Sequence, residues 1–329
     1  MAKIPTYPGI CTYPGWSEGE ASSNSGGIVG EPSSGAPFTQ IGPVDPVAIR
    51  IGGLTLGCRD SDGGQWWVTQ VDQLHDLRVR FEKVTRQMGD GTITGDGLLD
   101  PRHAEISVSI GIKPESNASL HDRLDALKRS LPIRRTAPVV VRDWGRVFCV
   151  DARVEDTVKV KRVGKWRFDV AIPLYIPDPV LLAASWQTGQ PAWVTRSLSM
   201  QTVMSGFTVP FTLPVNIPSS SRDDGLSRFT VAGSGPARMV MTLTGPVENP
   251  VITDAAGGWQ TTLTGTLGAG ETLSIDPHLR QVLAGGISSR RAWLSGWPSL
   301  EPGEHAISWT GEGASEETML RVDYVETYL

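Results

Sequence analysis

The string Gly15-Trp16-Ser17-Glu18-Gly19 spells G-x-S-x-G, the sharp turn that exposes a nucleophilic serine between a strand and a helix. Here both flanks are Pro/Gly/Ser-rich and supply neither element, so Ser17 is not read as a nucleophile. His103-Ala104-Glu105 spells half of a zinc-deaminase signature, but no P-C-x-x-C partner follows and Glu105 falls at a strand start. Gly89-Asp90-Gly91 and Gly95-Asp96-Gly97 carry aspartates of the kind calcium takes, at a spacing that fits no EF-hand loop. Asp-Gly pairs also make hairpin turns, and a loop is the reading adopted for them. The five histidines, at 75, 103, 121, 278 and 305, form no i, i+4 metal pair, and surface or capping roles are expected of them. Asp223-Asp224 and Glu316-Glu317 read as solvated turn charges rather than as a glycosidase pair. The expectation is a protein that is not an enzyme, with no catalytic residue, no cofactor and no metal.

Tryptophan is the one functional type in excess, at 11 residues, and Trp259, Trp293, Trp297 and Trp309 cluster late in the chain. Trp309 alternates with Ile307 along a strand pattern and is expected in the core. Trp293 and Trp297, flanked by Arg290, Arg291, Gly296 and Pro298, are the candidates for a surface contact, above all with saccharide.

Net charge is −5, from 30 Lys and Arg against 35 Asp and Glu, with no basic tail or stripe. Specific nucleic-acid binding is therefore not expected. The longest apolar runs, such as Val180-Leu181-Leu182-Ala183-Ala184, are too short for a spanning helix, so membrane insertion is not expected either. No apolar stretch follows Lys3, so no secretory signal is visible, and Cys11, Cys58 and Cys149 are too widely spaced for a C-x-x-C pair. Reduced thiols and folding in the cytoplasm fit that pattern.

What must position these residues is mostly β. Residues 1 to 45 are a Pro/Gly/Ser-rich arm with too few apolar residues for a core. From Val47 the period becomes two: Val47, Ile49 and Ile51, then Leu77 to Glu82, then Ile106 to Ile112 read as half-buried strands. Leu120, Leu124, Leu127 and Leu131 recur at helical spacing, and Asn117 or Ser119 caps the start. Asp122, Arg123, Asp125, Lys128 and Arg129 are then expected in water. Strands follow at Ala137 to Val141, around Val147 to Val154, and at Trp166 to Leu174, with Trp166, Phe168, Val170 and Ile172 on one face. A first domain thus spans 46 to 180, a crossing segment 181 to 235, and a β-sandwich 236 to 329. The sandwich strands are expected at 238–244, 250–253, 258–267, 272–276, 306–310 and 318–328.

Five stretches of the last domain resemble siphophage distal tail proteins. They are Thr244-Gly245-Pro246-Val247-Glu248-Asn249-Pro250 ("G-P-x-x-N-P"), Gly270-Glu271-Thr272-Leu273-Ser274-Ile275-Asp276 ("G-E-x-L-x-I-D"), Ser289-Arg290-Arg291, Trp297 to Gly303, and Arg321-Val322-Asp323-Tyr324. Their order and spacing carry the likeness; in the first domain only the arrangement of sheet, Gly-rich loop and single helix fits. The resemblance implies a belt domain that forms a ring as a homo-hexamer, joining the tail tube to the tail-tip hub. It also implies a galectin-like or carbohydrate-module-like sandwich, with the virion tail tip as location after synthesis in the host cytoplasm. The loop with Asp90 and Asp96 is then a candidate ring contact. The long amino-terminal arm departs from the family pattern.

Overall fold

The computed structural model describes residues 40–41, 45–85, 90, 92–94, 97–113, 119–200 and 225–329. Ser17, Asp96, Asp223 and Asp224, with nearly all of the arm, lie outside them. The chain forms two compact units that divide between Ala192 and Trp193, with Tyr328 and Leu329 belonging to the first.

The first unit is an antiparallel sheet with one helix on it. Its strands are β1 (Val47–Ile51), β2 (Gly64–Asp72), β3 (Arg102–Ile112), β4 (Ala137–Asp143), β5 (Arg146–Val154) and β6 (Arg167–Ile176). β3 lies between β2 and β6, and a bulge at Ser107/Val108 shifts its register with β2. β4 pairs with β1 and β5, and the end of β5 reaches β6. Inward residues follow the period of two: Ile106, Val108 and Ile110 on β3, and Phe168, Val170, Ile172 and Leu174 on β6. Trp166 departs from the expected face, because the strand starts at Arg167 and Trp166 sits in the preceding turn, 43% exposed.

Helix α1 (Leu120–Ser130) starts at Ser119, whose hydroxyl accepts the Asp122 N–H, and it buries Leu120, Leu124 and Leu127 in the same core. Arg123, expected in water, is instead 1% exposed. Its Nε donates to Asp60 Oδ2 at 2.6 Å, its Nη2 to Asp62 Oδ1 at 2.5 Å, and its Nη1 to the Ser119 carbonyl at 3.0 Å. Asp60 Oδ1 accepts Trp66 Nε1–H at 2.9 Å. A buried guanidinium is tolerated only when charge and donors are both matched, and these partners match them. Gly64 makes the room: a Cβ there would stand 2.0 Å from Arg123 Nε.

The segment from Leu77 to Glu82 also differs from expectation. Only Val79–Arg80 is strand, paired with Leu98–Leu99, and beyond it Lys83–Thr85 pairs with Thr92–Thr94, which together make a two-stranded ribbon. Its alternation is real, but the apolar face is uncovered: Leu77, Val79, Phe81 and Leu98 are 49, 52, 45 and 58% exposed.

The second unit is a two-sheet sandwich. One sheet holds Val194–Leu198, β8 (Gly235–Thr244), β10 (Thr272–Asp276), β11 (Gln281–Ala284) and β13 (Met319–Tyr328). The other holds β7 (Ser227–Val231), β9 (Val247–Asp254), Trp259–Thr262 and β12 (Gly303–Glu312). Met241, Leu243, Ile275 and Val322 from the first sheet meet Ile252, Ile307 and Trp309 from the second in one core. Trp309 is 1% exposed and donates to the Leu198 carbonyl at 3.1 Å. The stretch 181–235, expected as a crossing segment, supplies strands at Leu181–Ala183, Val194–Leu198 and Ser227–Val231. The expected strand 258–267 is two short ones, Trp259–Thr262 and Thr266–Leu267, broken by Gly265 at φ +144°.

The motif residues of this unit hold its turns. Asn249 sits at φ +45° and exchanges two hydrogen bonds with Gly265 through its backbone N–H and side-chain oxygen. Glu271 accepts the Gly268 N–H at 2.8 Å, while its carbonyl accepts the Gly245 N–H. The two motif stretches therefore meet at one end of the sandwich, and Asp276 closes the next turn by accepting the Leu279 N–H.

Candidate interaction surfaces

A buried His–carboxylate pair is the nearest approach to catalytic machinery among the described residues. His305 Nδ1 lies 2.5 Å from Asp254 Oδ2, and His305 Nε2 lies 2.7 Å from the Glu301 carbonyl oxygen. Both ring nitrogens face oxygen acceptors inside the core, so neither offers a lone pair to a substrate proton. Burial pushes the Asp254 carboxyl up, but the His305 bond, the Ala306 and Gly257 N–H groups and the His305 charge together hold it below the usual value. His305 was expected at the surface; it is 3% exposed because this network satisfies it. His75 and His103 do lie at the surface, beside Asp143 and Glu155.

Other reactive types are equally enclosed. Cys58 and Cys149 are buried, and burial, Asp60 and Asp45 push the Cys58 thiol up to about 12. A thiol so placed is a small apolar group. Among the described residues no three His, Cys, Asp or Glu side chains form a metal-binding group, and no helix is long and apolar enough to cross a membrane.

Two surfaces remain. The first is the ribbon formed by 79–80 with 98–99 and 83–85 with 92–94, near which the expected loop residue Asp90 is exposed. The second surrounds Trp293 and Trp297 at one end of the sandwich. Arg291–Trp293 is a short 3-10 turn, and Trp293 rests against Gly265, where a Cβ would approach its ring to 2.8 Å. Both indoles are half-buried against the core, and both carry arginines. Arg290 lies over Trp293 with its guanidinium carbon 5.3 Å from the ring centroid, and Arg280 and Arg291 lie over Trp297 at 5.3 and 5.5 Å. The sequence reading singled out both tryptophans with Arg290 and Arg291 beside them; Arg280 joins them in space from outside the motif, on the turn from Asp276 into β11.

The fold is that of an antiparallel β protein of two compact units. Residues 232–328 match the family model described as the siphovirus-type tail component, C-terminal domain. The match falls on the second unit, where the five motifs carry the same likeness. Among solved structures, the chain is similar to the Dit protein of phage SPP1, described as a paradigm of the hub adsorption apparatus in Gram-positive infecting phages. The two share 13% identity and a TM-score of 0.57, over 86% of this chain and 99% of that one. It is also similar to a chain of the phage P2 baseplate, at 12% identity and a TM-score of 0.39, over 84% of this chain and 97% of that one. No curated protein sequence matches the chain. The chain thus carries a stretch that matches this tail-component family over residues 232–328, on a fold similar to that of Dit.

Proposed function

We propose that the chain is the distal tail protein of a long-tailed phage, a structural adaptor whose first unit forms a ring of six copies between tail tube and tail-tip hub. The observation that carries this reading is the uncovered apolar face of the ribbon. A two-stranded ribbon is marginal alone, and among the described residues nothing covers Leu77, Val79, Phe81 and Leu98, which a neighbouring copy would keep dry. In a closed ring each copy offers this surface to a different patch on its neighbour, a heterologous interface closed by rotation. The loop from Asp90 to Asp96 is then a ring contact, and the virion tail tip the place of work.

Native mass spectrometry and negative-stain imaging test it. Six copies of 35.4 kDa give about 212 kDa, with a central hole. Phe81→Glu should leave the fold intact and shift the population to monomer. A Phe81→Glu protein that forms the ring as well as the wild type removes the ribbon from the interface. A chain held at 35.4 kDa at every concentration, in a phage whose tail tip shows no six-fold density, removes the ring.

A second reading rests on the other surface: the sandwich contacts saccharide of the host surface around Trp293 and Trp297. Its support is the placement of both indoles at one exposed end of the domain, among arginines.

A further inference from the structure

We propose that the ligand of the Trp293–Trp297 surface is an acidic polysaccharide, held by Arg280, Arg290 and Arg291, a refinement that rests on the saccharide reading. The sequence from Pro277 to Leu300 contains three arginines and His278 but no Asp or Glu, in a chain of net charge −5. Like charges gathered in one stretch repel one another unless a carboxylate offsets them. Among the described residues no carboxylate stands within ion-pair distance of the three. Arg290 donates only to Ser288 Oγ at 2.5 Å and to the Ser289 carbonyl at 3.2 Å.

The indoles fix how the arginines present themselves. A guanidinium lying on an aromatic ring keeps its N–H edge free, and that edge forms a planar fork matched to a carboxylate, sulfate or phosphate. Arg280 and Arg291 are exposed and Arg290 half-exposed, with Arg290 Nη1 held by Ser288 and Ser289 and its other nitrogens left for a ligand. The same stacking argues against a neutral sugar, which needs a bare ring face. Trp293 has Gly265 against it and Arg290 over it, and Trp297 carries two arginines.

A folded protein partner fits less well. Stable protein interfaces have an apolar centre within a polar rim, and the large apolar side chains exposed along this stretch are Leu279 and Ile287 alone. A linear polyanion needs no such centre. It needs several forks at intervals, with ring edges and arginine stems for the CH faces of its sugars.

Titration calorimetry on the full-length chain tests this with three probes: polygalacturonate, neutral dextran and poly-glutamate. Polygalacturonate should bind and dextran should not. Three neutralised charges should weaken binding about 20-fold between 50 and 200 mM salt, by the counterion-release relation for a flexible polyanion. Arg280→Gln/Arg291→Gln should lose at least about tenfold in affinity with unchanged thermal unfolding, since a bond to a charged group contributes about 1.5–3 kcal/mol. Binding of dextran as tight as that of polygalacturonate would keep the saccharide reading and overturn the acidic class. Binding of neither sugar would overturn both. Equal binding by the double variant, or tighter binding of poly-glutamate, would overturn the assignment to these arginines or to saccharide.

Discussion

Replacing Arg123 with Met tests what holds helix α1 to its sheet. The substitution keeps an unbranched stem of similar packing and removes three bonds, to Asp60, to Asp62 and to the Ser119 carbonyl. Asp62 is 40% exposed and water replaces its lost partner, so its share is small. The Asp60 side chain is 0% exposed, and only the Trp66 N–H remains to it. Stranding one member of a buried pair costs about 3–5 kcal/mol. For a domain of this size that lowers the first transition by roughly 6–20 °C in thermal unfolding followed by circular dichroism. Acid should relieve the loss. Burial holds the Asp60 carboxyl above its usual value even with the Trp66 and Arg123 bonds pulling it down, so without Arg123 it takes up a proton more readily. The variant should therefore recover part of its deficit as pH falls from 7, and Asp60→Asn added to Arg123→Met should restore about 2 kcal/mol at pH 7. A single variant within about 1 kcal/mol of wild type, with no pH dependence of the difference, would refute a structural ion pair.

Two further outcomes follow from buried groups. Leu124→Asp places an unpaired charge in the helix stripe, where Leu124 is 6% exposed, and should yield insoluble or unfolded protein; a soluble variant with an unchanged melting curve contradicts the assignment of α1 to the core. Asp254 is held below its usual value, so its contribution is present above about pH 4 and is lost as pH falls through its folded-state pKa. Acid unfolding of the sandwich, read by Trp309 fluorescence, should therefore steepen below pH 4 in the wild type and flatten in Asp254→Asn.

What could be read from the sequence was what repeats. The period of two placed the strands around Ile106–Ile112 and Thr272–Asp276, and the leucine spacing placed α1 to within a residue at each end. What failed was any inference about partners distant in sequence. Arg123 looks like a solvated helix charge because Asp60, which buries it, lies 63 residues away. His305 looks like a surface histidine because Asp254 lies 51 residues away on the neighbouring strand. Periodicity tells which side of an element is apolar and is silent about which polar residue has found a buried match.

The ribbon inverts that lesson. Its alternation marks Leu77, Val79 and Phe81 as one apolar face, and among the described residues nothing covers it. Within one domain a buried face and an interface carry the same sequence signal, since both are selected by removal of apolar area from water. Alternation that predicts burial and meets exposure therefore carries information about a partner. The Arg–Trp surface is the converse case: three arginines fall in a stretch, Pro277 to Leu300, that contains no Asp or Glu. Structure added the stacking that turns three flexible cations into oriented forks. Among the described residues neither the apolar face nor the cationic face has its partner, and the proposed ring contact and the proposed acidic saccharide would each supply one.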